Sequence, residues 1–282
     1  MADLISFLHF SAAGAERIKM AKKYEELVFS DNFMFCKVME LYPDICKQVT
    51  EVITGRKIRT IVQSQAQKTI EITDGNRGVR FDVYFEDDAE NMYDIEMQTY
   101  WEEAPLLRSR YYQSLNDLAC LERGDLFTAL KESYIIFIGL KDFFHAGLSC
   151  YRFEKTCPDL PGVNDGTHTI FVNASGVLNG QNAEYANLMA FLQNPEPIDP
   201  LTQSIAAAVE VLRDRRDLRR EYVTFQEIID KEKAISREEA LQEGIAVGRA
   251  EGINEGVAKT IQKLSVALNM PEQQLKNLLE TK

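Results

Sequence analysis

Val79-Arg-Phe-Asp-Val-Tyr-Phe-Glu86, then Asp87-Asp-Ala-Glu-Asn91, then Met92-Tyr-Asp-Ile-Glu-Met-Gln-Thr99 is the stretch on which the fold turns. Apolar and polar residues alternate with period two in both outer runs, and the Asp/Asn-rich segment between them favours a turn. The spacing therefore predicts a β-hairpin. A turn centred on Ala89 sets Glu86 opposite Met92, Tyr84 opposite Asp94 and Asp82 opposite Glu96. Phe81, Val83 and Phe85 then share a core face with Tyr93, Ile95 and Met97. Asp82, Tyr84, Glu86, Asp94, Glu96 and Gln98 share the other face.

Directly opposed residues place their Cβ atoms about 5 Å apart. Two carboxylates held there repel unless a cation or a proton lies between them. One resolution is a divalent cation: Mg2+ takes hard oxygen ligands at about 2.0–2.1 Å and retains water and phosphate oxygens in its shell. Asp82 and Glu96 supply the protein oxygens in this reading. Gln98, two residues on and pointing the same way, orients a metal-bound water, which makes the face a phosphodiester-hydrolysis site. The other resolution is solvation, since the water-facing side of a surface hairpin carries the same pattern.

Upstream, Leu27, Val28, Phe33, Phe35, Val38, Met39 and Leu41 recur at helical spacing, interrupted near Ser30-Asp31 and at Pro43, which predicts helix, break, helix. Ile58 to Val62 and Lys68 to Ile72 are short strand candidates. Downstream, a helix is predicted over Pro105 to Glu122, followed by β-like runs at Tyr134 to Leu140 and Thr169 to Val172. Strands alternating with helices indicate an α/β layered domain. Beyond Gly180 the pattern is helical: Asn182 to Leu192, a break at Pro195-Glu-Pro197, then Leu201 toward Lys233. The last segment carries Gly244, Gly248, Gly252 and Gly256. Each glycine costs a helix about 1 kcal/mol, so this tail is either a mobile appendage or a partner-dependent helical pair. Leu264 to Leu279, split by Pro271, has the outline of the first part of a helix-turn-helix. The expected organisation is a weakly patterned start over 1–20, a domain over 21–235 and a helical tail over 236–282.

The 282 residues carry 44 acidic and 32 basic side chains, a net charge of −12. This argues against tail-driven nucleic-acid binding, which needs a spread-out basic surface, but leaves room for a local groove. Between Asp82 and Glu103 there are nine acids and no Lys or Arg, so much of the excess is local. Without a cation such a surface repels DNA. Cys36, Cys46, Cys120, Cys150 and Cys157 have neither disulfide-framework nor zinc-ribbon spacing and read as buried reduced thiols. His9, His145 and His168 are isolated, which offers no zinc site or Ser-His-Asp triad, and there is no P-loop. The apolar run Leu4 to Phe10 lacks a basic flank, and no run approaches transmembrane length. A cytoplasmic protein without a membrane association is expected.

Arg80-Phe-Asp82-Val, Asp94-Ile-Glu96-Met-Gln98, Arg108-x-Arg-Tyr111-Tyr112 and Leu140-Lys-Asp-Phe-Phe together resemble the PD-(D/E)XK nuclease family transposases, or recombination-promoting nucleases. The likeness spans roughly residues 24 to 235, and the glycine-repeat tail is similar to those that follow the domain in that family. It implies a restriction-endonuclease-like α/β core, with a mixed central sheet flanked by helices, and Mg2+- or Mn2+-dependent cleavage of DNA. On this carry-over Asp82 and Glu96 are metal ligands, and Gln98 stands where the wider superfamily has lysine. A neutral amide positions water but adds no positive charge to the transition state. A second expectation is therefore a degenerate nuclease fold, kept as a DNA- or protein-binding module that forms homo-oligomers through its tail.

Four further features complete the candidates. Asp31 is an additional acidic ligand or, preferably, a helix N-cap, and Glu40 has a weaker claim of the same kind. Arg108 and Arg110 either meet a phosphate or pair with the acidic hairpin. Tyr111 and Tyr112 are read as closing the core. Arg213, Arg216 and Arg220 fall at helical i, i+3, i+7 spacing and form a candidate DNA-backbone face, with a solvated charged face as the alternative.

Overall fold

The computed structural model describes residues 22–66, 69–70, 79–80, 82–98, 104–121 and 123–280. The N-terminal stretch 1–20 and Phe81 lie outside the described residues. The chain divides into two compact units, the second beginning at Arg220.

In the first unit, a single 3-10 turn at Tyr24–Glu26 precedes α1 (Asn32–Leu41) and α2 (Pro43–Thr54). Upstream of Ser30 the expected helix is thus reduced to one turn. Pro43 opens α2, where its missing N–H costs nothing, and Gly55 closes it at φ +74°. The strands are β1 (Ile61–Ala66), β2 (Thr69–Ile70), β3 (Val79–Arg80), β4 (Val83–Asp87) and β5 (Met92–Gln98). Then come α3 (Pro105–Cys120), β6 (Ser133–Gly139), β7 (Cys150–Thr156), β8 (Asn164–Asn173), α4 (Ala183–Gln193) and α5 (Pro200–Arg213).

Six strands form one mixed sheet in the order β1-β4-β5-β6-β8-β7, while β2 and β3 pair separately. β4 and β5 are antiparallel, with Glu86 opposite Met92, Tyr84 opposite Asp94 and Val83 opposite Ile95, the register expected from the sequence. The run Val79 to Glu86 is not one strand, however. It breaks at a bend on Asp82, so that Val79–Arg80 leaves the main sheet to pair with Thr69–Ile70. After β5 the chain crosses over through α3 and returns parallel as β6.

Every residue of β5 from Met92 to Gln98 is buried. A central strand covered on both sides loses contact with water on both faces. On one side Tyr84, Met92, Ile135, Phe137 and Phe171 pack with Tyr112 and Leu115 of α3 and with Phe143. That packing covers the face carrying Asp94, Glu96 and Gln98, so the solvated acidic face allowed by the sequence is not what forms. Tyr112 closes the core as expected, while Tyr111 is 36% exposed. All five cysteines are free thiols; Cys36, Cys46 and Cys150 are buried, but Cys120 is exposed and Cys157 intermediate.

The pattern from Leu201 toward Lys233 is two helices. α5 ends at Arg213, and α6 (Arg216–Leu268) starts three residues later. In the second unit, α6 runs to Leu268, and a turn at 269–271 leads into α7 (Glu272–Glu280). Ile261 and Leu275 are buried there, and the Ser265 hydroxyl donates to the Met270 carbonyl at 2.6 Å. No helix among the described residues is long and apolar enough to cross a membrane.

Candidate functional site

Asp82 and Glu96 meet at the point where the hairpin continues past β4 onto the bend. The Asp82 amide donates to Glu96 Oε1 at 3.0 Å, and the Met97 amide donates to Asp82 Oδ2 at 3.0 Å. A second donor to the same Asp82 oxygen is Asn32 Nδ2, which also lies 3.4 Å from the Met97 carbonyl. Asn32 is the first residue of α1, so the start of that helix is tied to the acidic hairpin.

The Glu96 side chain is 2% exposed. Its Oε2 accepts from Arg108 Nη2 at 3.0 Å and, more weakly, from Gln98 Nε2 at 3.4 Å. A carboxylate taken this far out of water needs such compensation to stay ionised. The Arg108 guanidinium lies over the rings of Tyr112 (4.9 Å) and Phe137 (5.3 Å). Its Nε and Nη2 donate to the Tyr112 hydroxyl at 3.0 and 2.6 Å. Of the two roles open to Arg108, pairing with the acidic hairpin is the one observed.

Asp94, two residues before Glu96 on the same strand face, is fully buried. Neither of its carboxyl oxygens meets an N–H or O–H donor among the described residues. Burial, followed by the neighbouring Glu96 and Asp82 carboxylates, holds its pKa well above the usual carboxylate range, against an opposing pull from Arg108. Burial thus favours the uncharged form of this carboxyl. Sequence reasoning put Asp94 on this face but missed its burial, because that is set by α3.

Other candidates sit elsewhere. Asp31 is the residue before α1, yet its side chain makes no capping bond; it accepts from the Val28 amide at 2.8 Å and pairs with Lys22 at 2.8 Å. Its neighbour Asn32 reaches the site instead. Glu40 pairs with Lys37 at 3.1 Å. Arg110 is exposed, on a different side of α3 from Arg108. Arg213, Arg216 and Arg220 cannot share one helix face, because the helix breaks between Arg213 and Arg216. Arg213 is in addition committed to the Leu27 carbonyl, at 2.9 and 2.7 Å.

Of the nine acids between Asp82 and Glu103, Asp87, Asp88 and Glu90 hold the hairpin in place. Asp87 accepts from the amides of Ala89 and Asn91, Asp88 from the amide of Thr60, and Glu90 pairs with Lys131. Glu86 accepts from the Tyr84 hydroxyl at 2.8 Å, and Glu102 and Glu103 lie outside the described residues, so the described acids at the site are Asp82, Asp94 and Glu96. Among the described residues no group of three or more His, Cys, Asp or Glu side chains is arranged to hold a metal ion. Hard carboxylate oxygens on Asp82 and Glu96, beside the orphaned buried carboxyl of Asp94, are nevertheless the donor chemistry that suits Mg2+ or Mn2+. No protein-family model, curated protein or solved structure matches the chain.

Proposed function

We propose that the chain is a Mg2+- or Mn2+-dependent DNA endonuclease of the recombination-promoting type, with a restriction-endonuclease-like core. The observation that carries this reading is the mutual clasp of Asp82 and Glu96, in which each residue's backbone or neighbouring amide binds the other's carboxylate. A six-stranded mixed sheet flanked by helices is the coarse architecture that the sequence resemblance implies.

In this reading Asp82 and Glu96 hold the cation, which when bound lowers the pKa of its water and neutralises charge on the phosphate. Asn32 and the Met97 amide fix the Asp82 carboxylate. Gln98, 8% exposed, orients the attacking water through its amide. Purified protein is expected to nick plasmid DNA with Mg2+ or Mn2+ and to stop with EDTA, and Asp82→Ala is expected to abolish cutting. Persistent cutting by Asp82→Ala overturns the assignment.

A second reading is a degenerate nuclease fold serving as a DNA- or protein-binding module. Its specific support is that Glu96 Oε2 is already engaged by Arg108 and Gln98. Exposed Leu241, Ile245, Ile253 and Val257 on α6 support homo-oligomer formation through the tail. This reading expects no rise in thermal stability with Mn2+ and an assembly state that changes when residues after 235 are removed.

A further inference from the structure

Glu96 is reached by a cation of the protein's own. Arg108 Nη2 sits 3.0 Å from Oε2, the oxygen that also takes the weak Gln98 bond, while Oε1 is held by the Asp82 amide. Arg108 is thus seated on one of the two oxygens through which Glu96 would meet a cation.

Arg108 has a second seat that does not depend on Glu96. The Tyr112 hydroxyl accepts from both Nε and Nη2, and the faces of Tyr112 and Phe137 flank the guanidinium. Cation–π contact and the hydroxyl would keep the guanidinium satisfied if its ion pair were broken. The Arg108 side chain is 23% exposed against 2% for Glu96, so it lies toward the solvent side of the carboxylate. No Lys or Arg occurs between Asp82 and Glu103, which leaves Arg108 as the first basic residue after the hairpin.

Resting on the nuclease reading above, we propose that Arg108 is a built-in counter-ion that competes with the divalent cation for Glu96, so that loading the site requires Arg108 to withdraw onto Tyr112. The competition sets the affinity of the metal site. A purely structural ion pair has the opposite signature: removing Arg108 would loosen the site and weaken metal binding.

The test is calorimetric titration of Mn2+ into the full-length wild-type protein, Arg108→Gln and Tyr112→Phe, with thermal melts in the same buffers. Arg108→Gln is expected to bind Mn2+ about 5-fold or more tightly than wild type, the lower end of ordinary coupling between sites. A larger Mn2+-induced rise in its melting temperature is expected as well. Binding by Arg108→Gln alone, with none by wild type, overturns it, because Arg108 then never withdraws. Equal or weaker binding by a folded Arg108→Gln overturns it and leaves the nuclease reading standing. Absence of binding in both proteins overturns the two together. Should Arg108→Gln fail to fold even with Mn2+, Tyr112→Phe decides, because it keeps the charge but removes the oxygen that both Arg108 donors use. A changed Mn2+ affinity in Tyr112→Phe supports the competition, and an unchanged one overturns it.

Discussion

The backbone amide of Asp82 donates to Glu96 Oε1 at 3.0 Å, across the open end of the β4–β5 hairpin. The bend on Asp82 turns that amide toward Glu96 and separates the preceding strand segment, Val79–Arg80, from the main sheet. Geometry at this corner thus depends on backbone as well as on the two side chains, and its supports can be removed one at a time.

Asn32 is the first such support, since its side-chain amide binds the Asp82 carboxylate from the start of α1. Partners that orient metal ligands typically contribute about 10- to 100-fold to metal affinity. Asn32→Ala is expected to weaken Mn2+ binding by about 10-fold or more, with the protein still folded by circular dichroism. Unchanged affinity in a folded Asn32→Ala would show that Asp82 is held without it.

Asp94→Asn tests the raised carboxyl. An amide matches an uncharged carboxyl in size and charge, the form that burial favours at this position. The variant is expected to lie within about 1 kcal/mol of wild-type stability in urea denaturation at neutral pH. A loss above about 3 kcal/mol is the cost of breaking a buried charged pair, and would mean that Asp94 is ionised in the native protein.

Asp142 makes the acid side of the stability profile legible. Burial raises its carboxyl, but the amides of Phe144 and Gly147 and the Tyr151 hydroxyl outweigh that and hold it below its ordinary value. The Tyr151 hydroxyl donates at 2.8 Å and the Phe144 amide at 2.9 Å. A depressed folded-state value means that this stabilisation is present above the unfolded group's titration, near about 3.9, and is lost as pH falls through the folded value. Phe143 on this loop packs in the core with Tyr112 and Leu115 of α3, and Phe144 packs against that cluster. Asp142→Asn is expected to flatten the fall in stability between about pH 5 and pH 2. Parallel loss in wild type and variant would contradict the assignment.

The tail glycines give a prediction of opposite sign. A Cβ built at Gly244, Gly248, Gly252 or Gly256 meets no atom within 4 Å, and all four lie inside α6. Gly248→Ala and Gly252→Ala should each add up to about 1 kcal/mol of helix stability, read as raised helicity and melting temperature of the full chain. A loss of helicity would mean that something approaches the helix closely at those positions.

Much of the hairpin was legible because period two and an Asp/Asn turn fix register without reference to the rest of the chain. The fate of its polar face was not, because solvation or burial of Asp94, Glu96 and Gln98 depends on where the crossover helix α3 lands. Cys150–Thr156 escaped notice as a strand because, at the sheet edge, most of its side chains are exposed and include Arg152, Glu154 and Lys155. Asn32 was overshadowed by Asp31, whose charge made it the more obvious ligand. The break after Arg213 carries no proline or glycine, and Asp214-Arg215 gave no local signal for it. Periodicity reads faces of single elements, and the site here is made where a bend, a helix start and a crossover helix converge.

The central claim is that Asp82 and Glu96 jointly hold a divalent cation, and titration calorimetry with Mn2+ on the wild-type protein, Asp82→Ala and Glu96→Ala tests it most directly. The account predicts saturable binding to the wild type that is lost in both variants while their folds persist. Binding of equal affinity in all three proteins, or in none, would contradict it.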